Sequence, residues 1–123
     1  MLKKRSFLQS EDLSNVVVQG MQEKKAHDIV VLDLRHVPNS ITDFFVICSG
    51  NSDTQVNSIS ESVEEFVQKK DSQNPWHKEG NQNNEWVLLD YVDVVVHIFQ
   101  NSRREFFALE DLWGDAKITK IAS

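Results

Sequence analysis

The sequence contains a single cysteine, Cys48, and no apolar stretch that approaches the roughly 20 residues needed to cross a bilayer. A lone cysteine excludes a disulfide framework and fits a reducing compartment. Lys3, Lys4 and Arg5 near the N-terminus are followed by polar and acidic residues, without the apolar core of a signal peptide. We therefore expect a cytoplasmic protein with no membrane-spanning segment, in which Cys48 is a core residue.

Basic residues are scarcer than acidic ones. The sequence has 13 Lys and Arg and 19 Asp and Glu, which gives a net charge of −6. An acidic surface repels phosphate backbones, which argues against nucleic acid as the main ligand and fits a basic protein partner. The apolar fraction of 40% and the charged fraction of 26% are typical of a folded chain. A length of 123 residues suits one domain, predicted to span 1–123 with its core over about 10–116.

Apolar periodicity predicts the element order α-β-β-α-β-β-β-α, followed by a short strand. The clearest helix begins at Ser52, where Ser52 and Gln55 match a capping box, and it runs to about Lys70. The clearest strand pair is a hairpin over 85–99, in which two β-branched runs flank a four-residue turn. The remaining predicted elements are helices over 10–26 and 104–113 and strands over 28–34, 43–48, 76–79 and 116–121. This order predicts a single α/β domain with a mixed sheet packed by helices.

Few residues suggest catalysis, since the sequence has no zinc signature, no nucleophile elbow and no P-loop lysine. Asp90 and Asp93 are the exception, because paired carboxylates hold Mg²⁺ in nucleotidyltransferases. Their spacing of three across a turn need not direct both at one ion, and residues 49–52 resemble a phosphate-binding loop only faintly. We favour a turn or partner-binding role for the two acids. The alternative is a magnesium-dependent nucleotidyltransferase or nucleotide-binding protein.

Three further residues have two interpretations each. His97 lies in an apolar strand, where a lone histidine is more often a hydrogen-bonded structural residue than a ligand. Trp86 begins a strand beside a polar loop, so it either anchors the hairpin or is exposed for a partner to bury. Trp76 is flanked by loops on both sides, which favours exposure.

Two blocks carry a resemblance to a known family, namely WVLLDYVDVVVHIF over 86–99 and REFFALEDLW over 104–113. The segments DIVVLD over 28–33 and TDFFVICSG over 42–50, with Glu79-Gly80 before the hairpin, complete an ordered set with matching spacings. The chain resembles the ribosomal silencing factors, also called Iojap-related proteins. The resemblance implies a nucleotidyltransferase-like α/β fold that has lost catalysis. It also implies binding to the large ribosomal subunit through ribosomal protein L-fourteen, which would block small-subunit joining and repress translation when nutrients are scarce.

We accordingly expect a non-enzymatic repressor that uses no cofactor and no metal. The residues expected to contact the partner, from the matching motif and from their polar or aromatic character, are Glu79, Trp86, Asp90, Asp93, His97 and Arg104. An adaptor for another basic protein is a further alternative, and a homodimer away from the ribosome is compatible with an exposed edge strand.

The chain departs from the family pattern at two positions. Val92 stands where the family usually has glycine, and Phe107 where it usually has tyrosine. If the hairpin turn needs a positive φ, a β-branched residue at position 92 strains it or changes its type. At position 107, the phenol hydroxyl of the tyrosine is lost.

Overall fold

The computed structural model describes residues 7–80, 83–101 and 116–121. The helices are α1 (Ser10–Glu23) and α2 (Asp53–Asp71). The strands are β1 (His27–Asp33), β2 (Phe44–Gly50), β3 (His77–Gly80), β4 (Trp86–Asp90), β5 (Val94–Gln100) and β6 (Lys117–Lys120). These bounds confirm the predicted hairpin and both short strands, whereas the helix predicted over 104–113 lies outside the described residues.

The strands form one six-stranded sheet in the order β3-β4-β5-β2-β1-β6. The central strands β2 and β5 run parallel, and every other neighbouring pair is antiparallel. Both α1 and α2 pack against one face of this sheet and against each other. A mixed sheet covered by helices is the α/β class expected from the sequence.

Buried side chains form a cluster on each face of the sheet. The cluster beneath the helices includes Val17, Cys48 and Ile59, and the cluster on the opposite face includes Leu32 and Phe99. All of β2 is buried, which agrees with the apolar run over 44–48, because a strand covered on both faces needs no polar alternation. Cys48 has no accessible surface, so its expected place in the core is confirmed.

Gly20 marks a close approach of the two helices. A Cβ built on Gly20 would lie 2.8 Å from the Cα of Val63, a distance that packed atoms do not tolerate. The hydroxyl of Ser62 donates to the Gly20 carbonyl oxygen at 2.8 Å, which ties the helices together at this crossing. Glycine therefore lowers local helix propensity at this position but permits the packing of α1 on α2.

The start of α2 uses the predicted Ser52 cap in a modified form. The Ser52 hydroxyl accepts from the backbone N–H of Gln55 at 3.1 Å, as expected. The Gln55 side chain does not return to the Ser52 N–H, as a capping box requires, but accepts from the N–H of Asn51 at 2.6 Å. Its amide also donates to the carbonyls of Lys24 and Lys25, at 3.1 and 3.3 Å, and so links the start of α2 to the end of α1.

Candidate functional site

The sheet face opposite α1 and α2 carries four of the six residues expected to bind a partner, namely Glu79, Trp86, Asp90 and His97. Residues directly opposite each other in an antiparallel pair share a face, so the strand register places them. The rows that cross this face from strand to strand are Glu79–Leu88–His97, His77–Asp90–Val95 and Trp86–Phe99. The alternate residues of β4, Val87 and Leu89, belong instead to the cluster beneath the helices. We call this surface of β3, β4 and β5 the Trp86 face.

Trp86 and His97 form the best-defined pair on the Trp86 face. The indole Nε1 of Trp86 donates to Nδ1 of His97 at 3.3 Å, and the two rings stack with centroids 6.4 Å apart. On its other sides the imidazole stacks on Phe99 at 6.1 Å and meets the edge of Phe45 at 5.2 Å. Because Nδ1 accepts this bond, the neutral imidazole carries its proton at Nε2.

His97 is a buried residue, with 7% of its surface accessible. Burial lowers the pKa of its ring to about 4, so the imidazole is neutral at physiological pH. This geometry agrees with the interpretation of His97 as a hydrogen-bonded structural residue. The imidazole in turn fixes the ring orientation of Trp86, which is half-buried.

Asp90 and Asp93 flank a tight turn between β4 and β5. The Asp90 carboxylate accepts from the backbone N–H of Val92 at 2.7 Å. The N–H of Asp93 donates to the carbonyl of Tyr91 at 2.9 Å, and Val92 between them has a φ of 76°. This pattern is a γ-turn with positive φ, a rare and strained conformation. The turn therefore keeps the backbone shape that favours glycine, and Val92 occupies it under strain.

The two acids face different surroundings. Asp90 is half-buried and directs one carboxylate oxygen at its own turn, whereas Asp93 is exposed. Within residues 7–80, 83–101 and 116–121, no group of three or more His, Cys, Asp or Glu is placed to hold a metal ion. The hydrogen bond of Asp90 supports the turn role that we favoured for this acid.

Glu79 lies on β3, an edge strand whose four residues are all exposed. Its carboxylate contacts Nε2 of His77 at 2.8 Å on the Trp86 face. Lys78, between them, points to the other face and donates to Glu64 of α2 at 2.8 Å. The Glu79 carboxylate is thus exposed at the surface, beside the exposed ring of His77.

Exposed apolar side chains gather next to the turn. Trp76 is 79% exposed, which confirms the expectation from its flanking loops, and Ile41 and Val92 are 78% and 56% exposed. Together with Asp90 and Val95 they line a groove of about 360 Å³. Ile41 was not among the predicted site residues, although one apolar residue among Asn39, Ser40, Thr42 and Asp43 is a signal of an exposed contact.

Arg104, the sixth expected contact, lies outside the described residues. In the part of the chain that the structure describes, neither helix is long and apolar enough to cross a membrane.

The fold and the Trp86 face define an α/β protein that offers aromatic and acidic groups on one side of a mixed sheet. Residues 8–123 match the family described as "Ribosomal silencing factor during starvation". The chain belongs to this family, and the resemblance noted in the sequence is confirmed.

Two named relatives and one solved structure support the family assignment. A protein named ribosomal silencing factor RsfS from Halalkalibacterium halodurans is 35% identical over 114 residues, covering 93% of this chain and 96% of the relative. The protein of the same name from Bacillus subtilis is 33% identical, and the match covers 93% of this chain and 95% of that relative. A crystal structure of a Chromobacterium violaceum protein superposes with a TM-score of 0.80 at 27% identity, covering 94% of this chain and 95% of that one.

Proposed function

We propose that this chain is a translational repressor that binds the large ribosomal subunit and sterically prevents the small subunit from joining. The observation that carries the proposal is the family match over residues 8–123. On this proposal the chain acts in the cytoplasm when nutrients are scarce, in keeping with the family description. It acts by occupying a surface, and it needs no enzymatic step.

A repressor that acts by occupancy needs a rigid surface that is ready to dock. The Trp86 face is built on hydrogen-bonded strands, and sites on strands are held more firmly than sites on loops. His97 fixes the Trp86 ring, and Asp90 fixes the turn. A surface that is already ordered loses little conformational entropy when a partner binds.

The partner surface that fits best is a basic protein of the large subunit, and we assign it to ribosomal protein L-fourteen. The contacts we propose are Glu79, Trp86, Asp90, Asp93 and Arg104, with His97 positioning Trp86. An acidic protein gains association rate toward a basic partner because their charges attract over a distance. An interface of ordinary size would bury about 800 Å² on each side.

Cosedimentation with isolated ribosomal subunits at moderate salt tests the proposal. We expect the purified protein to pellet with large subunits and not with small ones. Small subunits added afterwards should form fewer joined ribosomes, whereas reversing the order of addition should weaken the effect, because a steric block requires the joining face to be free. The proposal is wrong if the protein binds neither subunit, or if it binds without reducing subunit joining.

A further inference from the structure

The exposed apolar side chains beside the hairpin turn belong to neither core cluster of the described residues. Large apolar side chains that remain accessible together indicate a binding surface more often than one exposed alone. Ile41, Trp76 and Val92 come from three separate segments and meet around one groove. The groove also includes Asp90 and Val95, which share a row of the Trp86 face, so it continues that face to the end of the sheet.

Hydrogen bonds to the backbone hold Trp76, Val92 and the segment that carries Ile41 in place. The N–H of Trp76 donates to the carbonyl of Asp90 at 2.8 Å. Val92 is fixed by the γ-turn and by the Asp90 carboxylate. The segment around Ile41 is held by the N–H of Asp43, which donates to the carbonyl of Asp93 at 3.0 Å. The side chains are therefore presented on ordered backbone, the arrangement that gives an anchor residue its affinity.

The charge around the groove selects the occupant. Asp90 lines the groove, and the exposed Asp93 follows Val92 in the turn. In the described part of the chain, neither carboxylate belongs to an ion pair. Unpaired acids repel the phosphates of RNA, and they also repel a second copy of a chain with a net charge of −6. A basic protein segment meets both features of the surface.

We propose that Ile41, Trp76 and Val92 form an apolar docking surface for a protein segment in which an apolar side chain is flanked by lysine or arginine. Trp76 is the central anchor, and Asp90 and Asp93 pair with the basic residues on either side. This inference rests on the proposed function, in which the segment belongs to a protein of the large subunit. It adds to that function a second set of contacts beyond Trp86.

The test compares surface variants in their affinity for purified large subunits, followed by fluorescence anisotropy of N-terminally labelled protein. Ile41→Ser with Trp76→Ser should weaken binding about tenfold or more, because buried tryptophan anchors contribute heavily to affinity. Val92→Gly should also weaken it, and this variant relieves backbone strain, so a loss of binding cannot be ascribed to misfolding. Ile118→Ser is the matched control, because Ile118 is 46% exposed on the opposite edge strand and should leave affinity unchanged.

Charge reversal at Asp93 distinguishes a protein segment from RNA. Asp93→Lys should weaken binding if the occupant is basic, whereas tighter binding would show that the turn meets RNA phosphate and would overturn the inference. Sedimentation of the free protein provides a third arm: a dimer that Trp76→Ser dissociates would identify a second copy as the occupant and overturn it as well.

The two proposals fail in distinguishable ways. If the unaltered protein does not bind large subunits, both are wrong. Suppose instead that the unaltered protein binds, and that both the Ile41→Ser with Trp76→Ser variant and the Val92→Gly variant bind large subunits with affinities within twofold of its own. The proposed docking surface is then wrong, and the proposed function stands.

Discussion

At the scale of single residues, the strained turn gives a prediction about stability. Val92 has a φ of 76°, which a β-branched side chain tolerates poorly, and more than half of its surface is exposed. Val92→Gly should therefore raise the free energy of unfolding by about 1 kcal/mol, since the relieved strain exceeds the cost of glycine's greater freedom in the unfolded chain. Urea unfolding measures the change.

Val92→Ala is the control for this turn, because alanine keeps a Cβ and so retains much of the strain. It should be less stable than Val92→Gly. Equal stability of the two variants would show that the positive φ is not what limits the turn.

The buried imidazole gives a prediction about pH. The pKa of His97 is lowered to about 4 by burial, whereas in the unfolded chain it returns to its ordinary value near 6.5. As the pH falls from about 6.5 to 4, the unfolded state takes up the proton first, so the free energy of unfolding decreases by an amount on the order of 3 kcal/mol. Above about pH 6.5, the contribution of His97 to the free energy of unfolding is constant.

Unfolding in urea at pH 7 and at pH 4.5 measures this dependence. His97→Gln keeps an acceptor for the Trp86 indole but cannot titrate. The carboxylates contribute to both proteins, so the difference between their two pH dependences isolates His97. Equal dependences for the two proteins would contradict the assignment of a low pKa to this ring.

At the scale of elements, the crossing of α1 and α2 gives a prediction about Gly20→Ala. Helix propensity alone would make this substitution stabilising, whereas the packing of the two helices should make it destabilising. The higher helix propensity of alanine alone should raise the free energy of unfolding of Gly20→Ala by about 1 kcal/mol. However, the new Cβ would lie 2.8 Å from the backbone of Val63, and overpacking of this kind costs about 1–3 kcal/mol. We expect a net loss of stability in thermal or urea unfolding.

Asn15→Ala is the control for the helix, because Asn15 lies on the exposed side of α1. This change should slightly stabilise the protein through propensity alone. A stabilising Gly20→Ala would show that α1 and α2 move apart at little cost.

The elements that could be predicted from sequence are those whose signal is local. The hairpin is marked by β-branched runs on both sides of its turn, and α2 is marked by an apolar stripe that follows a cap. The modified cap could not be predicted, because the Gln55 amide bonds to the end of α1, which is distant in sequence. The central place of β2 also depends on pairings with β1 and β5 that periodicity does not specify.

In the candidate site too, the residues marked by a local motif could be predicted, and the features that depend on the fold could not. The motif identified Trp86, Asp90 and Glu79, and the strand register then placed them on one face. The sequence favoured a structural role for His97, but its packing against Phe45 could not be predicted, because Phe45 lies on another strand. The apolar groove was not foreseen, because it joins residues from three segments that only the fold brings together.

At the scale of the whole molecule, the net charge of −6 predicts how binding responds to salt. Affinity for the large subunit should fall as ionic strength rises, because salt screens the attraction between an acidic protein and a basic partner. Asp90→Asn with Asp93→Asn should weaken binding and make it less sensitive to salt, while the amide oxygen introduced at position 90 can still accept from the N–H of Val92. Binding measured at several salt concentrations checks both effects.

Asp53→Asn is the control for the salt series, because it removes one charge from the exposed start of α2, away from the turn. It should change affinity little. An unchanged affinity and salt dependence in the Asp90→Asn with Asp93→Asn variant would show that these acids do not meet the partner.

The parallel pairing of β2 with β5 has a consequence for how the chain folds. It joins Phe44 to Val94, whereas β4 and β5 are joined by a turn of only three residues, 91–93. Contacts between distant residues form late, because closing the intervening loop costs entropy before any contact is gained. During synthesis β2 is completed well before β5 exists, and its apolar edge stays unpaired until the hairpin docks. The newly made N-terminal half is therefore most prone to aggregation in that interval.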